Sequence, residues 1–157
     1  MQQEMKMTRY VLAIDPGKTT GMALFTVERD KEPELMWSGE EEFVAFVDKT
    51  RMIFMQYPEL EVVCEKFTIN LQTAKNSQAP YSLECIGALK VILLDRGRDP
   101  ESLKFQLPAN AMNMFPNPKL KLLEYWYRGG EGHALDAIRH GLLYLVSTGW
   151  KPTKLLQ

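Results

Sequence analysis

No apolar run in this chain approaches the roughly 20 residues needed to cross a bilayer, which removes a membrane-spanning reading. The opening residues, Met1 to Met7, lack the apolar segment of a signal peptide. Cysteine is scarce. The two present, Cys64 and Cys85, lie in strongly apolar segments and are expected to be reduced core thiols, not a disulfide. Together these absences point to a cytoplasmic protein, in the host cytoplasm if the source is viral. An excess of one charge is also missing: the net charge is −1, so no global basic signal announces nucleic acid. There is no internal repeat and no low-complexity segment.

The charge that is present is unevenly spread. Residues 1–62 carry seven basic and twelve acidic side chains, a net of −5, and residues 63–157 carry twelve basic and eight acidic, a net of +4. Such asymmetry usually belongs to a solvated surface, and its functional counterpart is a basic face that meets phosphates. With 157 residues, 45% of them hydrophobic, the chain suits a single domain over 1–157 with a sizeable core.

Apolar patterning gives the order of elements. Arg9–Asp15 reads as a buried strand, Gly21–Glu28 as its antiparallel return, and Glu34–Trp37 as a third strand. Ser38 with Glu41 fits a capping box, which predicts a helix from there to about Tyr57, closed by Pro58. A fourth strand follows over Leu60–Phe67, then a polar stretch, Thr68–Pro80, of a length that often signals function. Tyr81–Arg96 reads as a helix apolar on most of its surface, and Ser102–Leu107 as a fifth strand. Pro108–Phe115 and Pro118–Tyr127 read as short helices, and His133–Thr148 as the last helix. The class is α/β, with a mixed five-stranded sheet flanked by helices.

Three segments carry the chemistry. Asp15 closes an apolar strand and is followed by Pro16-Gly17 and by Gly21, which permit a tight return and close approach of a ligand. A hairpin in which Asp15 bonds only backbone amides is the plainer reading. The Gly17-Lys18-Thr19 triplet invites a phosphate-loop reading, which fails because the required earlier glycine is Leu12. Glu65 ends the next apolar strand, on the same face as Val63. His133 and Asp136 stand three apart and so share a helix face, with His140 seven from His133 on nearly the same side. The plainer reading of this pair is a helix N-terminus, and of His140 a core or surface residue. A buried acid costs stability unless it is paired or bound to a cation, so three such places suggest acids converging on a metal. Tyr125, Trp126 and Tyr127 suit a base-stacking platform or, more simply, core. Lys119 and Lys121, with Arg128 nearby, suit phosphates or a solvated helix face.

With these residues in view, the chain resembles the Holliday-junction resolvases of RuvC type, within the ribonuclease H-like superfamily, from about Tyr10 to Leu145. Asp15 in Asp-Pro-Gly…Thr-Gly matches the first acid of that family and Glu65 in Glu-x-Phe the second. His133 and Asp136 match its closing pair, and Lys119 its basic residue ahead of the last motif. The turn after Asp15 is one residue shorter than in the bacterial enzymes, and the stretch before His133 is compact.

The resemblance implies a ribonuclease H-like fold and an endonuclease acting on branched DNA in recombination or replication. It implies two divalent ions, Mg²⁺ or Mn²⁺, with Asp15 bridging, Glu65 completing one site, and His133 with Asp136 completing the other. Products would carry a 5′ phosphate and a 3′ hydroxyl. Lys18, Lys66, Lys75, Lys119 and Lys121 are the expected DNA contacts. A resolvase must cut two strands symmetrically, so a homodimer is expected, built on the helix Tyr81–Arg96 with its small Gly87-Ala88 patch. Three alternatives stand beside it. One is a monomeric RNA-processing nuclease of the same superfamily, and another is a DNA-branch-binding relative without catalysis. The last is an actin-like nucleotide-binding protein, which would need a second such domain around a cleft.

Overall fold

The sorting of side chains across β1 (Arg9–Asp15) sets the architecture. Side chains alternate along a strand, so Val11, Ala13 and Asp15 face one way and Leu12 and Ile14 the other. In the computed structural model, which describes residues 7–72, 79–126 and 132–153, both faces of this strand are covered.

β2 (Thr19–Val27) pairs antiparallel with β1, and β3 (Glu34–Glu42) antiparallel with β2. β4 (Glu61–Glu65) lies parallel to β1 on its other side, and β5 (Lys104–Gln106) parallel to β4. The sheet order is β3-β2-β1-β4-β5, with β1 at the centre. The expected mixed five-stranded α/β sheet is therefore present.

One layer holds α1 (Phe43–Gln56) and α2 (Ala79–Asp95). Phe46 and Phe54 of α1 and Leu89, Ile92 and Leu93 of α2 pack there on Leu12, Ile14, Met22 and Cys64. The opposite layer holds α3 (Pro108–Met114), α4 (Asn117–Leu122) and α5 (Gly132–Ser147). Leu120, Leu135, Ile138 and Leu142 pack there on Val11, Ala13, Phe25 and Val63. Both cysteines are buried free thiols, as expected. Among the described residues no helix is long and apolar enough to cross a membrane.

Several boundaries differ from the sequence pattern. Ser38 and Glu41 are not a capping box: β3 runs through both, because the ladder to β2 continues as far as the Thr19–Glu42 pair. Helix α1 begins only at Phe43, with Glu42 as its N-cap residue and no side-chain capping bond. Helix α4 stops at Leu122, well short of Tyr127, and the chain leaves it through Glu124 at φ 66°. Tyr127 itself lies outside the described residues. Tyr125 is core: its ring meets Phe25 edge-on and its hydroxyl donates to the Pro33 carbonyl at 2.6 Å. Trp126 is half-buried against the same core.

Candidate active site

Period-two alternation places Asp15 on the face shared with Val11 and Ala13, and Glu65 on the face shared with Val63. Since β1 and β4 are adjacent and parallel, both acids end their strands on the α5 side of the sheet. Helix α5 crosses that face and supplies His133 and Asp136.

How α5 comes so close is a matter of Gly21. It sits opposite Asp15 in the β1–β2 ladder, and a Cβ at that position would overlap the His133 carbonyl. The sequence pattern suggested that Gly21 makes room for a ligand. The structure shows that it makes room for the backbone of α5. A second anchor is Glu40 of β3, whose Oε1 accepts from the backbone N–H of His133 at 2.9 Å and of Ala134 at 3.3 Å. These are among the donors that a helix start leaves unsatisfied, and a carboxylate there is favoured by the helix dipole. Glu40 carried no motif of its own. Only the pairing of Glu40 with Gly21 across β2–β3 brings it to α5.

Each candidate acid has one nitrogen partner. Asp15 Oδ2 lies 2.9 Å from His133 Nδ1, and its side chain is 8% exposed against 52% for the histidine. Burial pushes the Asp15 carboxyl up to about 7, the charge of Glu65 pushes the same way, the His133 bond pulls against both, and Asp136 adds a smaller upward push. Burial alone would lower the His133 imidazole. Its bond to Asp15 and the charges of Asp15, Glu40 and Asp136 outweigh that and raise it above its ordinary value. Asp136 Oδ1 accepts from Arg139 Nη1 at 2.6 Å. Arg139 is buried, donates from Nε to the Phe115 carbonyl at 2.9 Å, and reaches Asn117 with its other amino group. Glu65 Oε2 lies 2.9 Å from Nε2 of His140, which is buried.

His133 is thus bonded to Asp15 rather than merely starting a helix, and His140 belongs to the site. Arg139 was not distinguished by the sequence, although a cation three residues after a helical acid is the signal that would have found it. His140 was noted on the right helix side, but its partner Glu65 lies on β4, where helix spacing says nothing.

Asp15, Glu65 and Asp136 form a donor set of hard oxygens beside one accessible imidazole, the chemistry that Mg²⁺ or Mn²⁺ prefers. Burial first, and then the charges of Glu65 and Asp136, hold the Asp15 carboxyl up, and a divalent cation bound beside these acids would offset both. Among the described residues no three acid, histidine or cysteine side chains already surround one point as ligands, since each acid is turned to its nitrogen partner.

The basic residues lie around this centre unevenly. Lys18 is exposed in the β1–β2 turn, 6.0 Å from the centre of the Tyr81 ring. Lys66 is exposed directly after Glu65. Lys119 and Lys121 stand on α4, the latter 4.9 Å from the centre of the Trp126 ring. Lys75 lies outside the described residues, as does Arg128.

No protein-family model matches the chain, and no curated protein matches it in sequence. Solved structures do match. RuvC of Thermus thermophilus in complex with Holliday junction substrate superposes with a TM-score of 0.68 at 14% identity, covering 89% of this chain and 96% of that one. A second Thermus thermophilus RuvC structure superposes with a TM-score of 0.67 at 15% identity, covering 91% and 99%. The fold is RuvC-like, ribonuclease H-like, over most of the chain.

Proposed function

We propose that this chain is a divalent-metal-dependent endonuclease that hydrolyses phosphodiester bonds in branched DNA, four-way junctions among them, during recombination or replication. What supports the reading is that Asp15, Glu65 and the start of α5, with His133 and Asp136, lie on the same side of a RuvC-like sheet. The Thermus thermophilus RuvC with a similar fold is one bound to Holliday junction substrate, which favours DNA branches over other phosphodiesters.

In this reading Asp15, at the end of the central strand, Glu65, Asp136 and His133 would be the residues that hold two ions, Mg²⁺ or Mn²⁺. Bound there, the ions supply activation of a water and stabilisation of the leaving 3′ oxygen for an in-line displacement at phosphorus. The protein's own share is orientation. Gly21 and Glu40 fix the start of α5, Arg139 fixes Asp136, and burial under α5 keeps water from competing for Asp15. Lys18, Lys66, Lys119 and Lys121 are proposed to meet DNA phosphates, as is Lys75. One nuclease domain per chain, paired as a homodimer through α2, would present two such centres.

The test is cleavage of a labelled panel in Mg²⁺ or Mn²⁺: four-way junction, replication fork, flap, linear duplex and RNA hairpin. Four-way junction and fork are expected to be cut in preference to duplex. Asp15→Asn is expected to lower cleavage roughly 10³-fold, equivalent to about 4 kcal/mol of transition-state stabilisation, while DNA binding is retained. Wild-type turnover by Asp15→Asn would end this assignment, and preference for the RNA hairpin would move it to the RNA-processing alternative.

A further inference from the structure

Gln106 and His140 are 34 residues apart in sequence; the sequence placed His140 on the helix side of His133 and Asp136 without a role, and Gln106 carried no motif. The parallel register of β4 and β5 sets Gln106 directly beside Glu65. From the layer above, α5 delivers His140, whose side chain is 1% exposed. Its Nε2 lies 2.9 Å from Glu65 Oε2.

The Gln106 amide satisfies both of its ends in one orientation only. Its nitrogen faces the His140 carbonyl and His140 Nδ1, each at 3.0 Å, and its oxygen faces the Tyr144 backbone N–H at 3.2 Å. Reversed, its oxygen would face only acceptors and its nitrogen a donor. With Gln106 donating, Nδ1 of His140 accepts, so the ring proton sits on Nε2 and points at Glu65. The backbone repeats the tie, since Lys66 N–H donates to the Gln106 carbonyl at 2.7 Å. With Nε2 engaged by Glu65 and Nδ1 by Gln106, neither ring nitrogen is left to serve as a ligand itself. Yet Glu65 and His140 together line a cavity of about 290 Å³ with Asp136 and Arg139, so the carboxylate they hold borders open space.

We propose that Gln106 and His140 are positioning residues for Glu65: Gln106 fixes the imidazole tautomer, and the imidazole fixes one carboxylate oxygen so that the other is presented for metal. This rests on the metal-dependent reading above. An imidazole with a ring nitrogen held by an amide is a rigid donor, and losing such a partner behind a metal-binding carboxylate typically weakens the metal by about 10–100-fold.

Four proteins decide it: wild type, His140→Ala, His140→Gln and Gln106→Leu. Mn²⁺ alone is titrated into each by calorimetry, thermal melting is recorded without metal, and junction cleavage is followed against Mn²⁺ concentration. His140→Ala and Gln106→Leu are expected to bind Mn²⁺ about 10–100-fold more weakly and to need correspondingly more for half-maximal cleavage. Their kcat at saturating Mn²⁺ should stay within a few-fold of wild type. His140→Gln, which can still present an N–H to Glu65, should recover most of the affinity. The chain has only two histidines, so nitrogen-15 spectra of labelled histidine can be assigned. They should show His140 protonated at Nε2 in wild type. A folded Gln106→Leu or His140→Ala with wild-type Mn²⁺ affinity would overturn the proposal, as would a His140 proton on Nδ1 in wild type. If His140→Ala does not fold, Gln106→Leu and the wild-type spectrum still decide. Wild type that cleaves with Mn²⁺ beside unaffected variants overturns only the positioning roles. Wild type that neither binds Mn²⁺ nor cleaves overturns the nuclease reading and this proposal with it.

Discussion

Asp15 is nearly buried, carries two acidic neighbours, and keeps its charge in check through a single bond to His133. Half-exposed, that histidine is the one nitrogen partner in the site that can also reach a ligand from solvent. In the resolvase reading His133→Asp should therefore keep cleavage within a few-fold, because a carboxylate can take the same metal, whereas His133→Ala should lose roughly tenfold or more. Equal cleavage by His133→Ala and wild type would reduce His133 to a helix-start residue. The acids were legible because each ends an apolar strand or shares a helix face at a spacing of three, patterns that survive in one dimension. Glu40 was not, because it belongs to no motif, and His140 was visible only as a histidine on the right helix side: strand pairing and helix docking alone bring these two to His133 and Glu65. The places of Lys18 and Lys66 beside the site were legible for the opposite reason: they are neighbours in sequence of the strand ends they flank.

At the scale of elements, the order of the sheet followed from alternation and apolar runs, while its edges did not. β3 extends five residues past Trp37 because the ladder with β2 is worth more than the local capping signal at Ser38 and Glu41. The far end of α5 is held to β1 and β4 by a second polar set. Arg9 donates twice to Glu61, at 2.8 Å each, and Tyr144 donates its hydroxyl to Glu61 at 2.7 Å. Burial would raise the Glu61 carboxyl, but the Arg9 and Tyr144 bonds and the Arg9 charge hold it below its ordinary 4.5. A depressed carboxyl stabilises the fold at pH above its unfolded value, and that contribution is lost as pH falls through the lower folded value. Glu61→Gln should accordingly cost about 1–2 kcal/mol at neutral pH, the scale of hydrogen bonds to a partly exposed charged group. The gap between variant and wild type should close as the medium is taken well below pH 4.5. Urea unfolding at a series of pH values measures it, and a gap that stays constant into acid would show that this clamp contributes no charge-dependent stability.

For the whole molecule, the open question is what covers α2. Its inner face is spent on the sheet, where Cys85, Leu89, Ile92 and Leu93 are buried. Ser82 and Cys85 also reach the turn after Asp15: the serine hydroxyl donates to the Pro16 carbonyl at 2.9 Å and the thiol to the Gly17 carbonyl at 3.6 Å. Its outer face leaves Leu83, Val91 and Leu94 exposed at 45%, 53% and 59%, with open space in front of Gly87. These positions recur at helical spacing, so they form a single stripe. The sequence showed that the helix was too apolar for one face of a sheet; the structure shows which residues make up the surplus. In the homodimer reading the two-fold axis passes this stripe, and each copy of α2 carries its own Asp15 turn on its other side. Gly87→Glu places a charge where two helices would need their closest approach. It should leave the isolated fold intact, since no atom stands within 4 Å of the added Cβ, while giving monomers that nick junctions slowly and without paired cuts. Light scattering at micromolar concentration, run beside a cruciform-plasmid assay that separates paired cuts from single nicks, reads both consequences. A wild-type monomer that still cuts both strands of a four-way junction together would remove the dimer from the account and leave the α2 stripe without a partner.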